Sequence, residues 1–105
     1  MPATMFVAIQ FAIAVAAADR VPSFDVEPAC RAAAERAKPV GDVQACLRLE
    51  QQARDEVVQK WAEFSGADKE HCVSVSTMAR HAPTYTELLT CLELALEARK
   101  AREKG

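Results

Sequence analysis

The chain of 105 residues carries 13 basic and 15 acidic side chains, which gives a formal net charge of −2. This length allows one small domain, and the slight acidic excess argues against a nucleic-acid-binding protein, which usually carries a basic surface. Hydrophobic residues make up 50% of the chain, with three glycines and five prolines, which excludes disordered and low-complexity classes. Ala, Leu, Glu, Gln, Arg and Lys dominate, so the composition favours helices.

The first eighteen residues contain no charged side chain, and the stretch from Met5 to Ala18 is almost wholly apolar. The stretch has 14 residues, fewer than the roughly 17–25 that a membrane-spanning helix needs. It fits the apolar core of a secretory signal peptide, although no basic residue precedes it. Ala16 and Ala18 satisfy the small-residue rule before a cleavage site. We therefore expect a signal peptide over 1–18, cleavage before Asp19 and no stable membrane span afterwards. The alternative is a buried N-terminal helix.

Four cysteines follow the predicted signal peptide: Cys30, Cys46, Cys72 and Cys91. An even number in a short exported chain is typical of a disulfide framework. No C-x-x-C occurs, so a thioredoxin-type redox centre and a c-type haem site both lack their defining spacing. The spacing also disfavours structural zinc, whose ligands usually come in two close pairs. A mixed site with His71 and His81 is disfavoured because His71 and Cys72 would point about 100° apart on a helix.

Capping residues and a 3.6-residue period predict a first helix over 28–38 and a second over 43–64. Asp42 precedes the second helix as its cap. The inner faces should consist of small and apolar residues at helical spacing: Cys30, Ala33, Ala34 and Ala37 in the first helix, and Val43, Cys46, Leu47, Ala53, Val57, Trp61 and Phe64 in the second. We expect Trp61 and Phe64 to close the core, but an exposed ring at either position would be the candidate contact for a partner.

Glu50 falls on the same stripe of the second helix, one turn before Arg54. Glutamate four residues ahead of arginine is the favourable order for an ion pair on a helix. We expect a weak pair at the surface. The alternative interpretation is a polar spot that faces a partner.

The residues after the second helix predict two more. Ser65 is the expected cap of a third helix over 67–80, and the capping box that starts at Thr84 predicts a fourth over 85–102. Their inner faces should again follow the helical period: Cys72, Val75 and Ala79 in the third helix, and Tyr85, Leu88, Leu89, Leu92 and Leu96 in the fourth.

The rise along these helices favours one pairing of the cysteines. In a hairpin of the last two helices, Cys72 lies about 12 Å before the turn and Cys91 about 10.5 Å after it, so the two are level. In a hairpin of the first two, Cys30 and Cys46 are offset by about 4.5 Å, which the connection can absorb. We therefore predict two bridges within hairpins: Cys30–Cys46 and Cys72–Cys91. A nested pairing, Cys30–Cys91 with Cys46–Cys72, stays the alternative.

These elements predict an all-α fold, a small disulfide-stapled bundle of about four helices in two hairpins over 28–105, after an extended leader over 19–27. Three segments carry a resemblance: ACLRLEQQARDEVVQKWAEF, HCVSV and YTELLTCLELALEARK. They resemble a group of small, uncharacterised exported four-cysteine helical proteins of alphaproteobacteria, over about Cys30 to Lys100. The resemblance implies export and a cysteine-stapled helical fold, and it implies no activity or site residue.

The sequence contains no Gly-rich phosphate loop, no G-x-S-x-G and no H-E-x-x-H. His71 is expected at the surface and His81 in a connecting turn, because neither has a motif partner. We therefore expect no enzyme, no cofactor, no bound metal and no nucleic-acid partner. The favoured hypothesis is a periplasmic or secreted protein that binds another protein or supports an envelope complex. The alternatives are an acid-activated stress chaperone, suggested by the fifteen acidic groups, and copper handling through reduced cysteines.

Overall fold

The computed structural model describes residues 20–104, and this part of the chain is all-helical, as predicted. It contains four α-helices and one 3₁₀ turn: α1 Glu27–Arg36, α2 Val43–Lys60, the turn Trp61–Glu63, α3 Gly66–Met78 and α4 Tyr85–Lys104. Helix α1 packs on α2, α2 on α4, and α3 on α4. Two hairpins, α1–α2 and α3–α4, therefore meet along α2 and α4. The predicted signal peptide over 1–18 lies outside the described residues.

Side-chain caps define where three of the helices begin. Asp42 accepts hydrogen bonds from two free N–H groups in the first turn of α2. Ser65 accepts from the N–H of Asp68 at 3.1 Å, and Thr84 accepts from the N–H of Glu87 at 3.1 Å. Each cap satisfies an N–H group that has no partner within its own helix. The caps predicted from the sequence are therefore present.

The ends of the helices differ from the sequence prediction by a few residues. The largest difference is in α2, which ends at Lys60 because the backbone tightens into the 3₁₀ turn Trp61–Glu63. Phe64 leaves this turn in an extended conformation and is buried in the core. Trp61 is half-buried against the core, and the Nζ atom of Lys69 lies 4.9 Å from its ring centroid. The chain thus reverses direction with both rings directed toward the core.

The main hydrophobic core lies between α2, α3 and α4. Its buried members are Ala53, Val57, Phe64, Cys72, Tyr85, Leu88, Leu92 and Leu96. The predicted inner position of Val75 is wrong, because this side chain is exposed while Ser76 is buried. The buried face of α3 is centred between Cys72 and Ser76, with Val73 packed against the core. Val75 lies on the opposite flank of that face and points toward solvent.

Two disulfides staple the hairpins. Cys30 is bonded to Cys46, which joins α1 to α2, and Cys72 is bonded to Cys91, which joins α3 to α4. These are the two pairs favoured by the rise along the helices. Their Cα–Cα distances of 5.5 and 5.7 Å lie in the usual range. Each bridge contributes roughly 3 kcal/mol by the loop-entropy model.

Helix α1 buries fewer side chains than its predicted inner face suggested. Cys30 is its one buried residue, and Ala37 of the predicted stripe is exposed. Gly41 brings the connection between α1 and α2 against α1, because a Cβ atom here would lie 2.6 Å from the Cα of Ala34. The short connection and the disulfide together determine where α1 lies.

Polar contacts close the far end of the α2–α4 interface. Lys60 Nζ lies 2.8 Å from Glu93 Oε2, and Arg99 Nη2 donates to the carbonyl oxygen of Glu63 at 2.7 Å. The hydrogen bond to Glu93 and the charge of Glu93 raise the pKa of Lys60 above 10.5. None of the helices in residues 20–104 combines the length and apolar character needed to cross a membrane.

Candidate functional site

A groove of about 690 Å³ lies between the two hairpins. Helix α1 forms one wall, α2 forms the floor, and the opposite wall is the α3–α4 connection with the first turn of α4. Most of the lining is apolar, and apart from Leu49 these side chains are short: Ala29, Ala32, Ala33, Cys46 and Ala82. We call this surface the inter-hairpin groove. Its volume and its mainly apolar lining are typical of ligand-binding clefts.

Leu49 is the large apolar side chain of this groove, and it is 62% exposed. It lies three residues after Cys46, so both are on one face of α2. An exposed apolar residue in a concave apolar surface marks a site of interaction more strongly than one that stands alone. Leu49 was not among the contact residues predicted from the sequence, although its position three residues after a cysteine was a usable signal.

The two long walls of the groove carry charges of opposite sign. Arg36 lines the α1 wall, and Glu87 lines the opposite wall. The carboxylate of Glu87 accepts a hydrogen bond from the Thr84 hydroxyl at 3.1 Å and lies 3.3 Å from Nε2 of His81. His81 is in the connecting turn, where the sequence analysis expected it, and it also lines the groove. The apolar floor is thus flanked by polar groups on both sides.

Glu50 lies at the junction of the two hairpins, and its position corrects the sequence prediction. The residue is only 5% exposed, so the predicted surface pair with Arg54 is wrong. Its carboxylate accepts a hydrogen bond from the N–H of Tyr85 at 2.6 Å and another from the hydroxyl of Thr86 at 2.5 Å. Glu50 of α2 therefore caps α4, whose N-terminus also favours a negative charge. This cap holds the floor of the groove to the wall that begins α4.

Tyr85 fastens the segment before α1 to the same junction. Its hydroxyl donates to the carbonyl oxygen of Pro22 at 2.8 Å and accepts from the N–H of Phe24 at 2.8 Å. The rings of Phe24 and Tyr85 lie 5.0 Å apart, and Val21 and Val26 also pack against the core. The leader that the sequence analysis described as extended is therefore docked on the bundle.

A second, smaller groove of about 390 Å³ lies on the other side of Thr86 and Glu87. The exposed side chains of Val75 and Leu94 line it, together with Cys91. Since Thr86 and Glu87 line both grooves, the two apolar surfaces are neighbours. Each of them lies beside one of the two disulfides.

The other residues singled out from the sequence lie elsewhere. Phe64 is buried and Trp61 packs against the core, and neither is part of the inter-hairpin groove described in residues 20–104. His71 is exposed on α3. All four cysteines are in disulfides, so copper handling would first need a bridge to be reduced. Within the described residues, no group of three or more His, Cys, Asp or Glu side chains is arranged to hold a metal ion.

Comparison of the chain with known protein families, with curated proteins and with solved structures finds no match in any of the three. The interpretation of the groove therefore rests on its geometry and its chemistry.

Proposed function

We propose that this protein is an exported interaction module whose inter-hairpin groove binds an amphipathic segment of another protein. The observation that carries the proposal is Leu49, which is 62% exposed within a mainly apolar groove of about 690 Å³. Complete burial of an exposed leucine side chain contributes roughly 1.5–3 kcal/mol, so a partner that covers the 62% of Leu49 still exposed gains about 1–2 kcal/mol there.

The shape of the groove supports a helical partner segment. Ala29, Ala32 and Ala33 give the α1 wall short side chains, so the backbone of an incoming helix can approach closely. Arg36 on this wall and Glu87 on the other can pair with the charged flanks of an amphipathic helix, while its apolar stripe covers the floor. Such charge pairs determine orientation and partner choice more than affinity.

The groove is also formed before any partner binds. The Cys30–Cys46 bridge fixes α1 to α2, and the Glu50 carboxylate fixes α2 to the start of α4. A preformed site avoids part of the ordering cost of association. This supports recognition by a rigid surface.

Photo-crosslinking tests the proposed binding. A photoreactive side chain is placed at Leu49 or, as a control, at Val58, which lies on the same helix and is 47% exposed but outside the groove. We expect one discrete product from position 49 and none from position 58 at native expression. With the purified partner, Leu49→Asp should weaken binding about 5- to 30-fold, as the loss of roughly 1–2 kcal/mol implies, whereas Val58→Asp should leave it unchanged. Equal crosslinking at both positions, or none at 49, contradicts the proposal.

Export is the second part of the proposed function. The charge-free segment 1–18 with its alanines before Asp19 supports a cleaved signal peptide, and two disulfides fit an oxidising compartment. The intact mass of the protein recovered from its producing cells without reductant tests this part. We expect a chain that begins at Asp19 and lacks the four hydrogens of four free thiols. A chain that retains 1–18, or one with free thiols, contradicts export.

A further inference from the structure

We propose that Cys30–Cys46 is the thiol-reactive disulfide of this protein, that a thiolate attacks it at Cys46 from the inter-hairpin groove, and that its reduction releases α1. The Cys72–Cys91 bridge stays intact under the same conditions. This inference concerns a site of covalent modification and does not depend on what the groove binds.

Access selects the sulfur that is attacked. Cys30 has no exposed surface, whereas Cys46 is half-buried and lines the inter-hairpin groove. Thiol–disulfide exchange requires a thiolate to reach one sulfur of the bridge. The groove is open on that side, as the smaller groove is beside Cys91, so access selects the sulfur within each bridge and helix position separates the two bridges. Cys46 is therefore the attacked residue and Cys30 the leaving group.

Helix position makes this bridge easier to reduce than the other. Cys30 is the fourth residue of α1 and Cys46 the fourth residue of α2, so both lie at helix N-termini, where the positive end of the dipole stabilises a thiolate. Cys72 and Cys91 are each the seventh residue of their helices, beyond the first turn. A stabilised thiolate leaves faster and makes the reduced pair more favourable.

The two bridges also differ in what else holds their helices. Helix α1 has 10 residues and Cys30 is its one buried residue, and helices this short are marginally stable by themselves in water. Cys72 belongs to the main core, where it lies with Leu88 and Leu92. With Cys30–Cys46 reduced, α1 keeps only the docked segment before it and the Gly41 connection after it, so we expect the helix to detach from α2 while α3 remains packed on α4.

The reaction with a dithiol reductant proceeds in two steps. One reductant thiolate forms a bond to Cys46 Sγ, the Cys30–Cys46 bond breaks, and its electron pair leaves as the Cys30 thiolate, which takes a proton from water. The second reductant thiol, as its thiolate, then attacks the reductant sulfur of this mixed disulfide and releases the Cys46 thiolate, which is protonated. The bridge gains two electrons, and the reductant loses two as it becomes a cyclic disulfide.

Release of α1 removes one wall of the inter-hairpin groove, including Ala32 and Arg36. Reduction would thus switch off binding in the groove. This consequence rests on the proposed function, whereas the reactivity of the bridge does not.

Stepwise reduction of the oxidised protein with dithiothreitol tests the order of reaction. The thiols formed are alkylated and located by peptide mass mapping. We expect a first species labelled at Cys30 and Cys46 alone, with Cys72 and Cys91 unlabelled until the dithiothreitol concentration is at least tenfold higher. Circular dichroism of the first species should show the loss of helix α1 only, 10 residues. Labelling of Cys72 and Cys91 first, or of all four cysteines together, overturns the proposal.

A monothiol reports which sulfur is attacked. Brief incubation with glutathione, followed by acid quenching, should trap the glutathione adduct on Cys46, and an adduct mainly on Cys30 contradicts the assigned direction. The double variant Cys72→Ala/Cys91→Ala serves as the control, because its Cys30–Cys46 bridge should react at an unchanged rate. If that variant does not fold, the stepwise reduction of the natural protein still shows which of the two bridges reacts first.

Discussion

Replacement of Glu50 by alanine tests whether this carboxylate joins the two hairpins. The substitution removes the acceptor of the Tyr85 N–H and of the Thr86 hydroxyl, at 2.6 and 2.5 Å. A hydrogen bond to a charged group contributes about 1.5–3 kcal/mol, and a buried donor left without a partner costs about 1–3 kcal/mol. Because these terms describe overlapping effects, we expect Glu50→Ala to lower the free energy of unfolding by about 2–4 kcal/mol.

Glu50→Gln separates the charge from the shape of the side chain. The amide oxygen can still accept from the N–H of Tyr85, and the amide nitrogen can donate to the hydroxyl of Thr86. The loss should therefore be smaller than for alanine, about 1 kcal/mol, mainly from the interaction of the carboxylate with the N-terminus of α4. The ranking of the two variants reports how much of the effect is due to charge.

Urea unfolding of the oxidised protein, followed by circular dichroism, measures these differences. Glu56→Ala is the matched control, because Glu56 is an exposed residue of the same helix, 3.8 Å from Lys60. It should change the free energy of unfolding by less than about 0.5 kcal/mol. Arg54→Ala is the second control, since a surface pair of Glu50 with Arg54 would make the two alanine variants equally costly. A Glu50→Ala variant as stable as either control would refute the reasoning.

Three further predictions concern contacts that position the helices. Gly41→Ala should lower the free energy of unfolding by about 1–3 kcal/mol, measured by calorimetry, because the new Cβ would clash with the backbone of α1. In the control Gly66→Ala, the Cβ meets nothing within 4 Å and the change should be less than about 0.5 kcal/mol, so equal effects would contradict this. Tyr85→Phe should lower the free energy of unfolding by about 1–2 kcal/mol, because the hydroxyl makes two hydrogen bonds to the segment before α1. Amide hydrogen exchange in that segment should become faster, and unchanged exchange would contradict this. Glu93→Gln should destabilise the protein at neutral pH. The difference from the natural chain should shrink progressively as the pH rises beyond 10.5, because Lys60, whose pKa is raised by Glu93, then loses its charge; a difference that does not shrink in alkali would contradict this. Urea unfolding across pH measures that last effect.

The sequence by itself determined the helices and favoured the observed cysteine pairs, because both inferences depend on short-range rules. A cap such as Asp42 or Ser65 bonds to N–H groups two or three residues away, so it can be recognised without knowledge of the fold. The rise per residue then places Cys72 and Cys91 at similar distances from one turn, about 12 Å and about 10.5 Å. Helix type and order therefore followed from the chain alone, and the structure decided between the favoured and the nested cysteine pairing.

Only the tertiary structure decided the groove and its polar junction. Glu50 bonds to groups 35 and 36 residues away, whereas spacing within one helix offered only Arg54 as a partner. Val75 was placed inward because periodicity finds an apolar face without setting its rotation, which packing against α4 determines. The exposure of Leu49 likewise depends on the gap left where two hairpins meet along α2 and α4. Local hydrogen bonds specify each helix, but contacts distant in sequence determine which faces remain open to a partner.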